Sequence, residues 1–320
     1  MPVDPAGSDG QPVTDRRAGP PVPRCAHPPA FDSWRDVRRR VISLLDEPPP
    51  LLVVTDFDGT LAPITLDPLA TRIVPAARRA LRVLARLSAD RPDRLRLVVL
   101  SGRAALDVAG RVRVGRLEYL GNHGLEGGRL PWRARAEHLV VHIDPSLQPF
   151  VEPAERLGSA VAERLGRPDW LFVETKGPSV AFHFRQAPDA AEAVRRLDAA
   201  IAAIGDASGR QAFERFEGRK VIEFRPPAAG GKGAALERLL ERERPESVLL
   251  LGDDRSDAEA FRVLARERAQ RGLTGLAIAV HGATETPPEV VEAADMLLPA
   301  PLDAAAVLSA LASAAARRFA

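Results

Sequence analysis

The chain has 320 residues, 45% hydrophobic and 28% charged, which suits a globular protein with room for two hydrophobic interiors and excludes a fibrous or fully disordered one. With 45 basic and 43 acidic residues the formal net charge is +2, so no broad basic surface points to nucleic acid. The single cysteine, Cys25, excludes an internal disulfide and fits a reducing, cytoplasmic compartment, and no apolar run is long enough for a signal peptide or a membrane span.

Taken in chain order, residues 1–32 are rich in Pro, Gly, Asp and Arg and are expected to form a disordered arm. A helix follows, with Trp34, Val37, Val41, Ile42, Leu44 and Leu45 on its apolar stripe. The densest basic run, Arg38-Arg39-Arg40, lies on that helix as a solvated face. Nowhere do aromatics alternate with basic residues as a single-strand-binding platform needs. Pro48-Pro49-Pro50 marks the entry to a core. Leu51-Leu52-Val53-Val54 then reads as a parallel strand buried on both faces, and it runs into Thr55-Asp56-Phe57-Asp58-Gly59-Thr60. Open α/β sheets collect ligands beyond such strand ends, and two carboxylates placed there call for a divalent cation to neutralise them. A plain turn is the alternative for an isolated Asp-x-Asp-Gly.

A helix is expected over 75–89 and a second buried strand over 95–100, ending in Ser101-Gly102-Arg103. Another core strand, 117–120, precedes Gly121-Asn122-His123-Gly124-Leu125-Glu126. The stretch from Ser101 to Lys232 is far longer than a strand–helix step requires, so a domain is inserted there. Its periodicities predict helices over 147–165 and 190–203 and strands over 170–174, 179–184, 212–216 and 220–224. The expected architecture is therefore an α/β parallel-sheet catalytic core, 33–143 and 225–320, carrying an α+β cap at 144–224 that closes as a lid. Glu174 and Lys176 share one face of a cap strand by alternation, as do His183 and Arg185 on the next. Such a polar plane suits a hydroxyl-rich ligand, and equally a cross-strand ladder of ion pairs.

Gly230-Gly231-Lys232-Gly233 opens an amphipathic helix, where a lysine can reach a phosphate as a mobile point charge. The strand at 247–251 ends in Gly252-Asp253-Asp254-Arg255-Ser256-Asp257, a third polar strand end for the same crevice. Strands at 276–280 and 296–298 and an alanine-rich helix from Leu302 complete the core, and no internal repeat is present. Of the 45 basic residues only Lys176, Lys220 and Lys232 are lysines. Lysine that persists in so arginine-biased a chain marks places where a compact ammonium is wanted.

Asp56-x-Asp58-Gly-Thr, Ser101, Lys232 and Asp253-Asp254-x-x-Asp257 together resemble the four motifs of haloacid-dehalogenase-type phosphatases. That resemblance implies a Rossmann-like core and Mg²⁺-dependent phosphoryl transfer through an aspartyl-phosphate. Asp56 would be the nucleophile, and Asp58 the acid for the leaving oxygen and then the base for water. Ser101 and Lys232 would hold the phosphoryl group. The metal would be held by Asp56, the backbone carbonyl of Asp58 and Asp253, with Asp254 and Asp257 orienting these ligands.

The strings Glu174-x-Lys176, His183-x-Arg185, G-N-H-G-x-E from Gly121, E-x-R-P from Glu223 and G-D-D-R-x-D from Gly252 resemble trehalose-6-phosphate phosphatases over 51–299. This family implies trehalose 6-phosphate as substrate, in trehalose biosynthesis. Glu174, Lys176, Arg185 and Glu223 would grip the disaccharide from the cap, with Thr60, Arg103, Asn122, His123 and His183 completing the contacts. Two positions depart from the family's pattern: Ala258-Glu259 stands where two acidic residues are usual, and Phe184 where tyrosine is usual. The alternatives are another sugar phosphatase of this fold, acting for example on sucrose 6-phosphate, a sugar-phosphate-binding protein without catalysis, and, last, a phosphomutase. Intact Asp56, Asp58, Lys232 and Asp253 argue against the second. A monomer is expected, with no nucleic-acid or membrane partner.

Overall fold

The computed structural model describes residues 31–65, 67, 70–133, 135–204, 213–218, 220–227, 231–281 and 286–319. Residues 1–30 of the arm expected at 1–32, Ala212 at the start of one expected strand and Gly230 before Lys232 lie outside the described residues, whereas Asp32 is no part of a disordered arm but is hydrogen-bonded to Leu297. In chain order the elements are α1 (Trp34–Ser43), β1 (Leu51–Thr55), α2 (Pro75–Asp90), β2 (Leu95–Leu100), α3 (Ala105–Val112), β3 (Glu118–Gly121), β4 (Glu126–Arg129) and β5 (His142–Ile143). Then follow α4 (Val151–Arg164), β6 (Phe172–Lys176), β7 (Ser179–His183), α5 (Ala190–Ile204), β8 (Glu214–Gly218) and β9 (Val221–Arg225). The chain closes with α6 (Gly231–Glu243), β10 (Ser247–Gly252), α7 (Arg255–Arg271), β11 (Thr274–Val280), α8 (Pro288–Ala293), β12 (Met296–Leu298) and α9 (Pro301–Phe319).

The large sheet has the order β12-β11-β10-β1-β2-β3-β4-β5, with β12 through β3 all parallel. Alternation along β1 explains its unbroken apolar run. Leu51 and Val53 enter one cluster with residues of α1, α2, α3 and α9, while Leu52 and Val54 enter another with residues of α6, α7 and α8. The chain steps outward from β1 to β2 and β3, then returns to the other side of β1 for β10, β11 and β12. That reversal leaves a crevice at the carboxyl end of β1. At the far edge Asp32 donates its N–H to Leu297 O (3.1 Å), and Leu297 N–H donates to the Asp32 carboxylate (2.8 Å).

The antiparallel extension β4–β5 is not foreseen by periodicity. Glu126-Gly127-Gly128-Arg129 has no apolar alternation, and its glycines serve close approach instead. A Cβ at Gly127 would lie 2.4 Å from Leu120 Cδ2, and one at Gly128 2.3 Å from Val140 O.

The second sheet is antiparallel in the order β6-β7-β9-β8. One face carries Val180, Phe182, Ile222 and Phe224 against Ala154, Leu157 and Val161 of α4 and Ala193, Leu197 and Ile201 of α5. Gly177, with φ +60°, is the first of the two residues joining Lys176 to Ser179, the position that a type II′ hairpin turn reserves for glycine. Several boundaries differ from expectation, β8 reaching Gly218 and β9 running Val221–Arg225 among them. β6 starts at Phe172 because Trp170 and Leu171 pack toward the helical side. Residues Gln148–Phe150 form a 3₁₀ turn before α4 begins. β7 ends at His183, so Arg185 lies beyond the strand and is exposed.

Candidate active site

β1 ends at Thr55, so Asp56 is the first residue delivered into the crevice, with Asp253 and Asp257 arriving from the end of β10 and the first turn of α7. Carboxylate oxygens of Asp56, Asp253 and Asp257 all lie within 4.8 Å of one another, and all three residues are buried. Lys232 Nζ sits 2.8 Å from Asp56 Oδ1 and 2.8 Å from Asp257 Oδ1, and 3.8 Å from Asp254 Oδ1, with 1% of the residue exposed. Thr60 Oγ1 donates to Asp253 Oδ1 at 3.0 Å. Gly59, φ +80°, makes room for that carboxylate, since a Cβ there would lie 1.9 Å from Asp253 Oδ2.

Burial drives the Asp56 pKa up to about 6, against the pull of Lys232, with Asp254 and Asp58 adding to the rise. Burial also lifts Asp253 well above the carboxylate range, and repulsion from Asp56, Asp257 and Asp254 adds to it. Burial works against the Lys232 charge, yet the Asp254, Asp257 and Asp56 carboxylates overcome it and hold the ammonium well above its ordinary pKa. Three buried, mutually repelling carboxylates that share one lysine leave negative charge uncompensated. The donor set thus fits a hard divalent cation held by oxygen.

Asp58 belongs to a neighbouring network. Arg103 grips it with two charge-assisted hydrogen bonds, Nε to Oδ2 at 2.6 Å and Nη2 to Oδ1 at 2.7 Å. Arg103 also donates to Asp107 Oδ2 (3.0 Å), and Arg111 Nε to Asp107 Oδ1 (2.9 Å). Ser101, buried at the end of β2, accepts the Arg103 N–H on Oγ at 3.1 Å. Asp107 carried no sequence signal of its own, because its acidic role depends on Arg103 turning toward α3.

The other face of the cap sheet looks toward this crevice. His183 Nε2 lies 2.8 Å from Glu174 Oε2, and Lys176 Nζ lies 3.6 Å from Glu174 Oε2 and 3.9 Å from Glu223 Oε1. Arg225 Nη2 binds Glu223 Oε2 at 2.7 Å. Burial opposes the Glu223 charge, but Lys176 and Arg225 overcome it and bring its pKa down to about 2. Burial likewise opposes the Glu174 charge, and the His183 hydrogen bond and Lys176 hold its pKa below the ordinary value. Core and cap meet through Lys176. Its Nζ donates to Gly102 O at 3.3 Å, and its backbone carbonyl accepts from Asn122 Nδ2. Asn122 and His123 both hold left-handed backbone conformations, φ +57° and +58°. Burial pushes the His123 pKa down to about 3, with the Arg225 charge adding to it, so its ring is neutral. Glu126 accepts the free Ala105 N–H at the start of α3 (2.7 Å), and a Cβ on Gly177 would lie 3.6 Å from its other oxygen.

Thus Asp56, Asp58, Thr60, Ser101, Arg103, Lys232, Asp253, Asp254 and Asp257 gather at the β1, β2 and β10 strand ends, and Asn122, His123 and Lys176 stand at the junction. Glu174, His183 and Glu223 share the open cap face, whereas Arg185 does not share the His183 strand. Thr60 and Arg103 bind Asp253 and Asp58 respectively. Phe184, the tyrosine position, packs into the cap's apolar cluster, and Ala258 into the core. Arg225 is the residue that sequence reasoning overlooked. Two-residue alternation from Glu223 along one strand was signal enough to find it.

An open parallel sheet whose central strand ends in Asp-x-Asp, faced by a buried lysine and an acidic loop under an inserted α+β layer, is a haloacid-dehalogenase-like fold. Residues 54–286 match the trehalose-phosphatase family, and the chain belongs to that family. It is 33% identical over 217 residues to the trehalose-phosphate phosphatase of Mycobacterium tuberculosis, covering 66% of this chain and 51% of that protein. It is 36% identical over 216 residues to an uncharacterised glycosyl hydrolase of the same organism, covering 65% of this chain and 15% of that one. The chain therefore spans about half the length, or less, of these relatives. The C-terminal domain of Candida albicans trehalose-6-phosphate phosphatase shares its fold, with a TM-score of 0.62 at 21% identity over 86% of this chain and 96% of that one.

Proposed function

We propose that this chain is a Mg²⁺-dependent phosphatase that hydrolyses trehalose 6-phosphate to trehalose and phosphate. The observation that carries the reading is Lys232, 2.8 Å from both Asp56 and Asp257 beside Asp253, in the crevice that the polar cap face overlooks. Residues 144–224 act as the cap and 33–143 with 225–320 as the catalytic core. A cytoplasmic location, supported by the lone cysteine, and a monomeric state belong to the same reading.

Lys232 and Ser101 bind the phosphoryl oxygens and orient the phosphorus toward Asp56. A Mg²⁺ held by Asp56, Asp253 and the Asp58 carbonyl would neutralise phosphoryl charge. The Asp56 carboxylate forms a bond to phosphorus as the bond from phosphorus to the sugar oxygen breaks, and Asp58 gives that oxygen its proton. Asp58 then takes a proton from water, which attacks the aspartyl-phosphate and releases phosphate with Asp56 restored. Arg103 holds both Asp58 oxygens, so at least one of these bonds must be released for Asp58 to reach the leaving oxygen. Glu174, Lys176 and Glu223 meet sugar hydroxyls from the cap, and Asn122 and His123 from the core. With its pKa near 3, His123 acts as a neutral hydrogen-bonding ring.

Phosphate release from a panel of sugar phosphates, in Mg²⁺ and in EDTA, tests this reading for the native chain and Asp56→Asn. Metal-dependent release from trehalose 6-phosphate is expected, reduced by ~10³-fold or more in Asp56→Asn. Preference for sucrose 6-phosphate or another sugar phosphate would remove the substrate and keep the mechanism. No release from any of them would leave the binding-protein alternative.

A further inference from the structure

The open face of the cap sheet carries an aromatic residue that the reading above does not use. Strand pairing lines up Glu174 on β6, Ala181 on β7, Glu223 on β9 and Phe216 on β8 in one row across four strands. Directly paired residues point to the same face, so the row presents carboxylate, methyl, carboxylate and ring to the crevice. At an interstrand spacing of about 4.8 Å such a row spans about 14 Å, enough for a two-ring sugar.

Phe216 is 37% exposed although it is large and apolar. The Arg225 guanidinium lies over its ring, 4.7 Å from the centroid, and the same guanidinium binds Glu223 at 2.7 Å. Arg225 Nε is buried without a hydrogen-bond partner, and so are Asn122 Oδ1 and His123 Nδ1. Asn122 Nδ2 donates to the Lys176 carbonyl across the junction, so the core orphans stand against the cap sheet that carries Arg225. Buried polar atoms of this kind call for a polar partner, and the hydroxyls of a sugar can supply one. A pyranose ring offers both chemistries. Its rim of hydroxyls suits Glu223, Arg225 and Asn122, and its face of C–H bonds needs an apolar wall. A second exposed aromatic on this face, Phe172, lies on the opposite edge strand in a row with His183, Val221 and Gly218, its ring 5.7 Å from the His183 ring.

We propose that Phe216 is the stacking wall for one pyranose ring of the substrate, held in place by Arg225, and is therefore a specificity-determining residue. The inference rests on the sugar-phosphatase reading. It is tested by KM and kcat for trehalose 6-phosphate and for glycerol phosphate, which has no ring, in the native chain, Phe216→Ala, Phe216→Leu and Phe216→Trp. Loss of the ring is expected to raise KM for trehalose 6-phosphate by about 10-fold in the Ala and Leu variants, with kcat little changed, and Trp to restore it. Phe216→Leu keeps apolar bulk on an exposed strand, so native behaviour in that variant overturns the stacking role. An equal rise in KM for glycerol phosphate in the Ala variant also overturns it. A native chain that acts on glycerol phosphate but on no sugar phosphate removes the sugar reading and this inference with it. A native KM for trehalose 6-phosphate in Phe216→Ala removes this inference alone.

Discussion

Burial and charged neighbours set the ionisation of single side chains in this protein. Lys232 stays charged in a buried site because Asp56 and Asp257 each lie 2.8 Å from it, and among the described residues no other cation lies so close to those carboxylates. His123 and Glu223 are two groups with a legible consequence for pH. Folded His123 has a pKa of about 3 against an ordinary 6.5, so between those values the unfolded chain binds a proton that the folded chain refuses. Its contribution is present above pH 6.5 and is lost as pH falls from there toward 3. Glu223, at about 2 against 4.5, acts with the same sign. Its stabilisation is present above 4.5 and is lost as pH falls toward 2. Thermal melts of the metal-free chain from pH 7 to 3 are therefore expected to fall less steeply in His123→Asn than in the native chain. Parallel curves would contradict the buried neutral ring.

Secondary-structure ends supply the chemistry at the scale of the element. α6 opens with Lys232 in its first turn, the end where a helix dipole disfavours cations, and Asp56 and Asp257 offset that cost. α7 opens with the acidic loop acting as its own cap. Asp254 Oδ1 accepts the Asp257 N–H at 3.0 Å, and Asp257 Oδ2 accepts the N–H groups of Asp253 (3.1 Å) and Asp254 (3.2 Å). The same loop thus ends β10, caps α7 and presents Asp253. Asp254→Ala is expected to cost about 1 kcal/mol in urea unfolding, with Asp254→Asn costing clearly less, since Asn still caps. Equal losses in the two variants would assign the effect to charge near Lys232 rather than to the cap.

At the scale of the whole molecule, the sequence reveals most where burial is total. Continuous apolar runs at 51–54 and 247–251 read directly as sheet-centre strands, and the polar residues after them as the crevice. The glycine-built β4 was illegible because backbone approach, not side-chain pattern, forms it. Arg185 was expected on the His183 strand, but β7 ends at His183, and alternation holds only while the strand lasts. Phe184 still keeps the inward alternation of Val180 and Phe182, its N–H donating to Lys220 O at 3.1 Å, and Arg185 follows it outside the ladder. Arg103 had a readable position but not a readable partner, since its pairing with Asp58 depends on how two loops meet.

The central claim is that Asp56 carries the phosphoryl group. The direct measurement is an acid quench of the native chain during turnover of trehalose 6-phosphate with Mg²⁺, followed by peptide mass spectrometry. The phosphoryl group is expected on the Asp56 side chain, and on no residue in Asp56→Asn. Phosphate release that continues with the phosphoryl group on another residue, or on none in repeated quenches, would contradict the account.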